Sequence, residues 1–155
     1  MMGKKKSNKL LLFIIIISIC SLLALIGFIN HLLSPSYKSK KVLEAFYTHE
    51  QGGNYADSWA LLHPFMKDKW SKTQFMTDRL HVFNGHFGAE TFQFTITGGN
   101  EINDWKMAEE AEAFDIAYKF TVIQTYKGKY GRFSFLQEVY VANAVGEWRI
   151  LWDYN

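Results

Sequence analysis

The residues able to do chemistry in this chain are acids, tyrosines and histidines spread between positions 47 and 140. Tyr47, Asp57, His63, His81, His86, Tyr118 and Tyr140 are the candidates. General acid–base work needs such groups converging on one substrate atom, and their spacing here forms no diagnostic set. Asp57 stands two residues before Trp59, near the start of a predicted helix. A carboxylate in a first turn is favoured by the helix dipole; as a catalyst it would act as acid or base. Tyr47 and Tyr118 are the candidate hydroxyls, and Tyr118 falls on the apolar side of a strand pattern, where core tyrosines also sit. His63 precedes Pro64 at a helix end. His81 and His86 flank Asn84-Gly85 without a third ligand nearby, so no metal site is expected. The acids Glu109, Glu110 and Glu112 read as a solvated face, without the loop that calcium requires. Gly98-Gly99 is followed by neither a helix nor Lys-Ser/Thr and is not a phosphate loop. No cofactor is expected. Tyr55, Trp59, Phe120, Trp148 and Trp152 are the aromatic candidates for lining a pocket, with core packing as their other role.

The elements that must position these groups follow from periodicity. Val42, Ala45, Phe46 and His49 share one helical face. Gly52-Gly53 stops that helix, Asn54 can cap the next, and Tyr55, Trp59 and Leu62 recur at helical spacing. Ser71 with Gln74 is a capping-box pattern, and Asn84-Gly85 with Gly88 breaks the run. Beyond Gly88 the period becomes two, through Phe92–Ile96, Phe114–Val122, Phe133–Val141 and Trp148–Trp152. Turns at 127–129 and 144–146 are short, so the strands they join are antiparallel. Residues 103–112 are polar and read as a loop or a weak edge. The expected fold class is α+β, with about three helices packed on a curved antiparallel sheet of about four strands.

Several strings resemble the nuclear-transport-factor-2-like superfamily, a cone of helices wrapped by a curved sheet. Residues 42–47 are similar to its first helix, 52–62 to its second, 70–75 to the start of its third and 147–153 to its final strand. The resemblance spans residues 41–154 and comes nearest to the non-catalytic N-terminal domain of methicillin-resistance-type penicillin-binding proteins. That domain also follows a single membrane anchor. No S-x-x-K motif occurs here and no transpeptidase domain follows Asn155, so penicillin binding does not carry over. The superfamily also holds ketosteroid isomerases, dehydratases and membrane subunits of conjugative secretion machines, so the fold alone does not choose a function.

Location is read from a different segment. Leu10–Ile29 carries no charge, and about twenty helical residues at ~1.5 Å each span the ~30 Å hydrocarbon core. Leu10, Ile16, Leu23 and Ile29 mark this anchor. The run is longer than a signal peptide's apolar region and lacks an A-x-A-like cleavage site. Ile19 before Cys20 is too bulky for a lipoprotein signal. Lys4, Lys5, Lys6 and Lys9 precede the run, so the positive-inside rule predicts a cytoplasmic tail over 1–9 and an extracytoplasmic domain. Residues 30–40 read as a juxtamembrane linker and 41–155 as the domain. With those four lysines set apart, 13 of the 17 Lys/Arg face 15 Asp/Glu. This mildly acidic domain has no footprint for nucleic acid. Cys20 is the only cysteine, so no disulfide staples the domain.

These readings predict a membrane-anchored, non-catalytic binding or interaction domain of a bacterial cell envelope. The expected partners are the lipid bilayer, a protein at the membrane surface and a second copy through the sheet face. The alternatives are an isomerase or dehydratase using the cone pocket, and an assembly subunit of a secretion, conjugation or cell-wall complex.

Overall fold

The period-two segments pair in sequence order into one antiparallel sheet. The computed structural model describes residues 4–155. The strands are β1 (Phe92–Lys106), β2 (Ala113–Gly128), β3 (Gly131–Ala144) and β4 (Glu147–Leu151), in the order β1-β2-β3-β4. Preceding them are α1 (Lys4–Leu33), α2 (Pro35–Gln51), α3 (Tyr55–Ala60), α4 (Pro64–Lys69) and α5 (Lys72–Arg79). A π-helical segment, Leu80–His86, continues α5. The fold is α+β as expected, its helical part divided into α2, three short helices and a π segment.

Among the described residues one helix is long and apolar enough to cross a membrane. It covers Asn8–Leu33, 26 residues, whose most apolar 18-residue stretch has a mean hydropathy of 3.0. The stretch 30–40, read as a linker, is helical on both sides of Ser34. The cause is local: Ser34 Oγ accepts the Tyr37 amide at 3.3 Å, and Pro35 supplies a preset φ at the first helical position.

α2 buries Ser39, Leu43, Phe46, Tyr47 and Glu50. This face is rotated from the predicted Val42–Ala45–Phe46–His49 stripe and includes a carboxylate. Gly53 ends the helix with φ of 72°, a conformation that costs glycine nothing. Asn54 occupies the cap of α3 without a side-chain bond, whereas Ser71 Oγ accepts the Gln74 amide and caps α5. Asn84-Gly85 does not break the chain, because the π segment runs through both, and the helix ends at Phe87.

β1, an edge strand, extends through Lys106, so the polar stretch is edge strand over 103–106 and loop over 107–112. Gly98-Gly99 is a bulge that shifts the β1–β2 register. Ser36 Oγ donates to Gly99 O at 3.1 Å, tying the bulge to the start of α2. A fifth rung forms beside β4, where the His63 amide donates to Ile150 O at 2.9 Å and the Ile150 amide to Leu61 O at 3.1 Å.

Neighbouring strand residues point to opposite faces, yet Val139, Tyr140, Val141 and Ala142 are all buried. Both faces of this half of the sheet are therefore covered. The helices cover one, with Tyr47 packed 5.7 Å from Phe94 and Phe46 set 6.0 Å from Trp152. On the other, Trp105 stacks on Tyr140 at 4.0 Å and Phe114 on Trp105 at 5.9 Å.

Val145 and Gly146 form the β3–β4 turn with φ of 53° and 85°. A β-branched residue is strained in this region. Asn143 Oδ1 already accepts the Gly146 amide at 2.9 Å, and Val145 is fully exposed. Val145→Asn creates the Asn-Gly pair that such primed turns favour. It is expected to stabilise the chain by about 0.5–1 kcal/mol, read from a denaturant midpoint at unchanged slope.

Candidate functional site

The site grows from the carboxylate that α2 turns inward. Glu50 retains only 6% exposure. Ser58 Oγ, from α3, donates to Glu50 Oε1 at 2.5 Å. Arg79 Nε, at the end of α5, lies 3.2 Å from Glu50 Oε2. Burial raises the Glu50 carboxyl above its ordinary value, while Arg79 and the Ser58 hydrogen bond pull it back down. Both carboxylate oxygens are thus engaged, Oε1 by the Ser58 hydroxyl and Oε2 by the Arg79 guanidinium.

The Arg79 guanidinium is also held by rings. It lies 5.1 Å from the Phe75 centroid, 5.5 Å from Trp152 and 5.8 Å from Phe83. Cation–π contact and the Glu50 bond together fix it in one orientation. A cavity of about 280 Å³ opens beside it, between α5, the π segment and the sheet. Trp70, Phe75, Phe83 and Trp152 supply its aromatic lining, with Val82. Asp78, Arg79 and Gln137 supply its polar lining. The indole Nε1 of Trp152 is buried and has no acceptor in the protein. A buried donor without a partner is costly; the Trp152 ring lines the cavity, but its Nε1 is closed off from the open space.

Behind the cavity is a hydroxyl–amide layer. Tyr47 OH donates to Gln137 Oε1 at 3.4 Å, and Tyr126 OH to Gln124 Oε1 at 2.5 Å. Burial pushes both phenols well above their ordinary range, so they remain neutral donors.

The sequence candidates are dispersed by the fold. Asp57 is exposed on the outside of α3, 3.9 Å from His49 Nδ1, and does not reach the cavity. Its first-turn position matches the helix-dipole role rather than that of a pocket acid. Tyr47 lies in the core layer just described. Tyr118 donates to Glu101 Oε2 at 2.8 Å, and burial together with that carboxylate pushes its phenol up to about 12. Of the five aromatic candidates, Trp152 alone lines the cavity. Tyr55 and Phe120 are buried core. Trp59 donates its indole N–H to Trp70 O at 3.1 Å, and Trp148 sits edge-on to Tyr118 at 5.5 Å. His81 and His86 do meet, with Nε2 atoms 2.9 Å apart on the exposed π segment. No group of three or more His, Cys, Asp or Glu able to hold a metal occurs among the described residues.

Glu50, Arg79, Ser58 and Gln137 escaped the sequence reading. One signal existed for Glu50: it continues the Leu43–Phe46–Tyr47 stripe at helical spacing, a charge on an apolar face.

His63 occupies a separate aromatic corner. Its Nδ1 accepts the Phe65 amide at 3.2 Å as the cap of α4, and its ring packs on Phe65 and Phe114. Burial, then the nearby Arg149 and Lys67 charges, lower it from 6.5 to about 4. The unfolded chain therefore binds this proton more readily than the folded one. Stability is full above pH 6.5 and declines as pH falls towards 4. The expected loss is about 1–2 kcal/mol at pH 4, with water screening part of the bare shift. Denaturation at both pH values should show this loss shrinking in His63→Asn, which keeps a capping acceptor.

No family model matches the chain, and no curated protein matches it.

Proposed function

We propose that the chain is a membrane-anchored, non-catalytic binding module of a bacterial cell envelope, with its nuclear-transport-factor-2-like domain extracytoplasmic. The apolar helix following four lysines supports the anchor and its direction. Helices packed on a four-stranded meander support the family reading. The observation that carries binding over catalysis is the state of Glu50, the one buried carboxylate among the described residues. Glu50 is held at both oxygens by Ser58 and Arg79 and does not line the cavity, which is walled by rings around a fixed cation. Such a surface receives an aromatic or aliphatic group packed against the Trp70, Phe75 and Trp152 rings.

A photo-crosslinking residue at Val82, on the cavity wall, tests this in native membranes. It should trap a partner or ligand that the same residue at Glu90 does not. Turnover of a ketone, enol or hydroxy substrate that Glu50→Gln abolishes would instead establish the isomerase or dehydratase reading.

A second copy is the other partner favoured by a specific feature. Ile123 and Leu136 are directly paired across β2 and β3, on the face away from the helices, and remain 38% and 67% exposed. Leu136→Asp should then convert a dimer to a monomer in light scattering of the full chain. An unchanged mass removes this reading.

A further inference from the structure

A second concavity, of about 570 Å³, lies where α1 meets the domain. Leu32, Val42, Leu61 and Trp148 form its apolar lining, and Lys38, Lys41 and Arg149 its cationic lining. Leu32 belongs to the last turn of the apolar helix. If Leu10–Ile29 fills the hydrocarbon core, Leu32 lies roughly 4.5 Å beyond its edge at ~1.5 Å per residue. A groove containing Leu32 therefore opens at headgroup depth. Only Ser34 separates α1 from α2, so the groove cannot swing far from the bilayer.

Its charge matches an anion. Lys38, Lys40, Lys41 and Arg149 surround this groove and the cavity adjoining it, against Glu44 and Glu147. Lys41 Nζ is 2.8 Å from Glu44, and Arg149 contacts Glu147 while donating to Ala60 O at 2.7 Å. Lys38 pairs with no carboxylate among the described residues. Tyr37 and Trp148 bring the amphipathic rings that settle at a membrane interface.

We propose that this groove binds one anionic glycerophospholipid, its phosphate among Lys38, Lys41 and Arg149 and its acyl chains along α1. The proposal rests on α1 crossing the bilayer. Carbonate extraction of native membranes tests that premise separately, and release of the chain would overturn both. For the groove itself, the full chain in non-ionic detergent is exchanged with equal amounts of phosphatidylglycerol and phosphatidylcholine. Retained lipid is then read by native mass spectrometry. Phosphatidylglycerol should be retained in preference. Lys38→Gln with Lys41→Gln should lower that retention roughly 25-fold, at about fivefold per lysine. Lys127→Gln with Lys129→Gln, an equal charge change at the β2–β3 turn, should leave it unaltered. Inorganic phosphate in tenfold excess should not displace the lipid. Equal retention of the two lipids in a membrane-embedded chain would overturn the groove alone. So would unchanged retention in the Lys38/Lys41 variant, equal loss in the control pair, or displacement by phosphate.

Discussion

Replacing Arg79 by alanine is expected to destabilise the domain by about 3–5 kcal/mol, because it strands a buried carboxylate. Glu50 retains 6% exposure, and its remaining partner would be the Ser58 hydroxyl alone. The three rings around the guanidinium would lose their cation as well. The effect carries a pH signature. Glu50 already holds its proton more tightly in the folded state than the ordinary carboxyl value of 4.5. Without Arg79 that preference grows. The folded variant then binds more protons than the unfolded one above pH 4.5, so its stability falls as pH rises through that window. Adding Glu50→Gln to Arg79→Ala should return about 1–2 kcal/mol at neutral pH, since the stranded charge is gone. Chemical denaturation of the four combinations measures this coupling. Strictly additive losses would show that the two side chains do not act as a pair.

The pairing of Glu50 with Arg79 also explains why the site was hard to read in the sequence. Strand positions were legible because burial of alternate side chains leaves a period of two, as in Phe120, Val122 and Tyr126. The helices were legible as amphipathic runs, but short ones leave the phase uncertain. In α2 a rotation of one residue exchanges Val42 and His49 for Leu43 and Glu50. Ionic residues default to the surface in any such reading. Glu50, Ser58 and Arg79 lie on three different elements, and only the packed fold reveals them as partners. Asp57 was conspicuous for the opposite reason, since a first-turn acid resembles a catalytic one in sequence while serving its own helix. The helical course of residues 30–40 was not legible, because serine and proline mark both linkers and helix starts. The coverage of the outer sheet face was not legible at all, since the Trp105–Tyr140 stack joins β1 to β3, strands that are not sheet neighbours.

Phe46→Ala is the complementary prediction, set in the apolar layer rather than the polar one. Phe46 has no exposure, and its ring meets Tyr47 at 5.1 Å and Trp152 at 6.0 Å, both edge-on. Truncation removes the transfer free energy of the ring and leaves a cavity, for an expected loss of about 3–5 kcal/mol. Phe46→Leu keeps most of the volume and should cost less, about 1–2 kcal/mol. The position matters beyond stability, because Trp152 stands between Phe46 and the concave cavity. Once Phe46 is truncated, Trp152 can drop into the new space and carry its ring away from the cavity wall. A partner trapped from Val82 should therefore be lost in Phe46→Ala but kept in Phe46→Leu, at a temperature where both variants remain folded by circular dichroism. Equal trapping in the two would mean that the Trp152 indole is not what the partner meets. The cavity's specificity would then rest on Arg79 and the Phe75 and Phe83 rings that hold it.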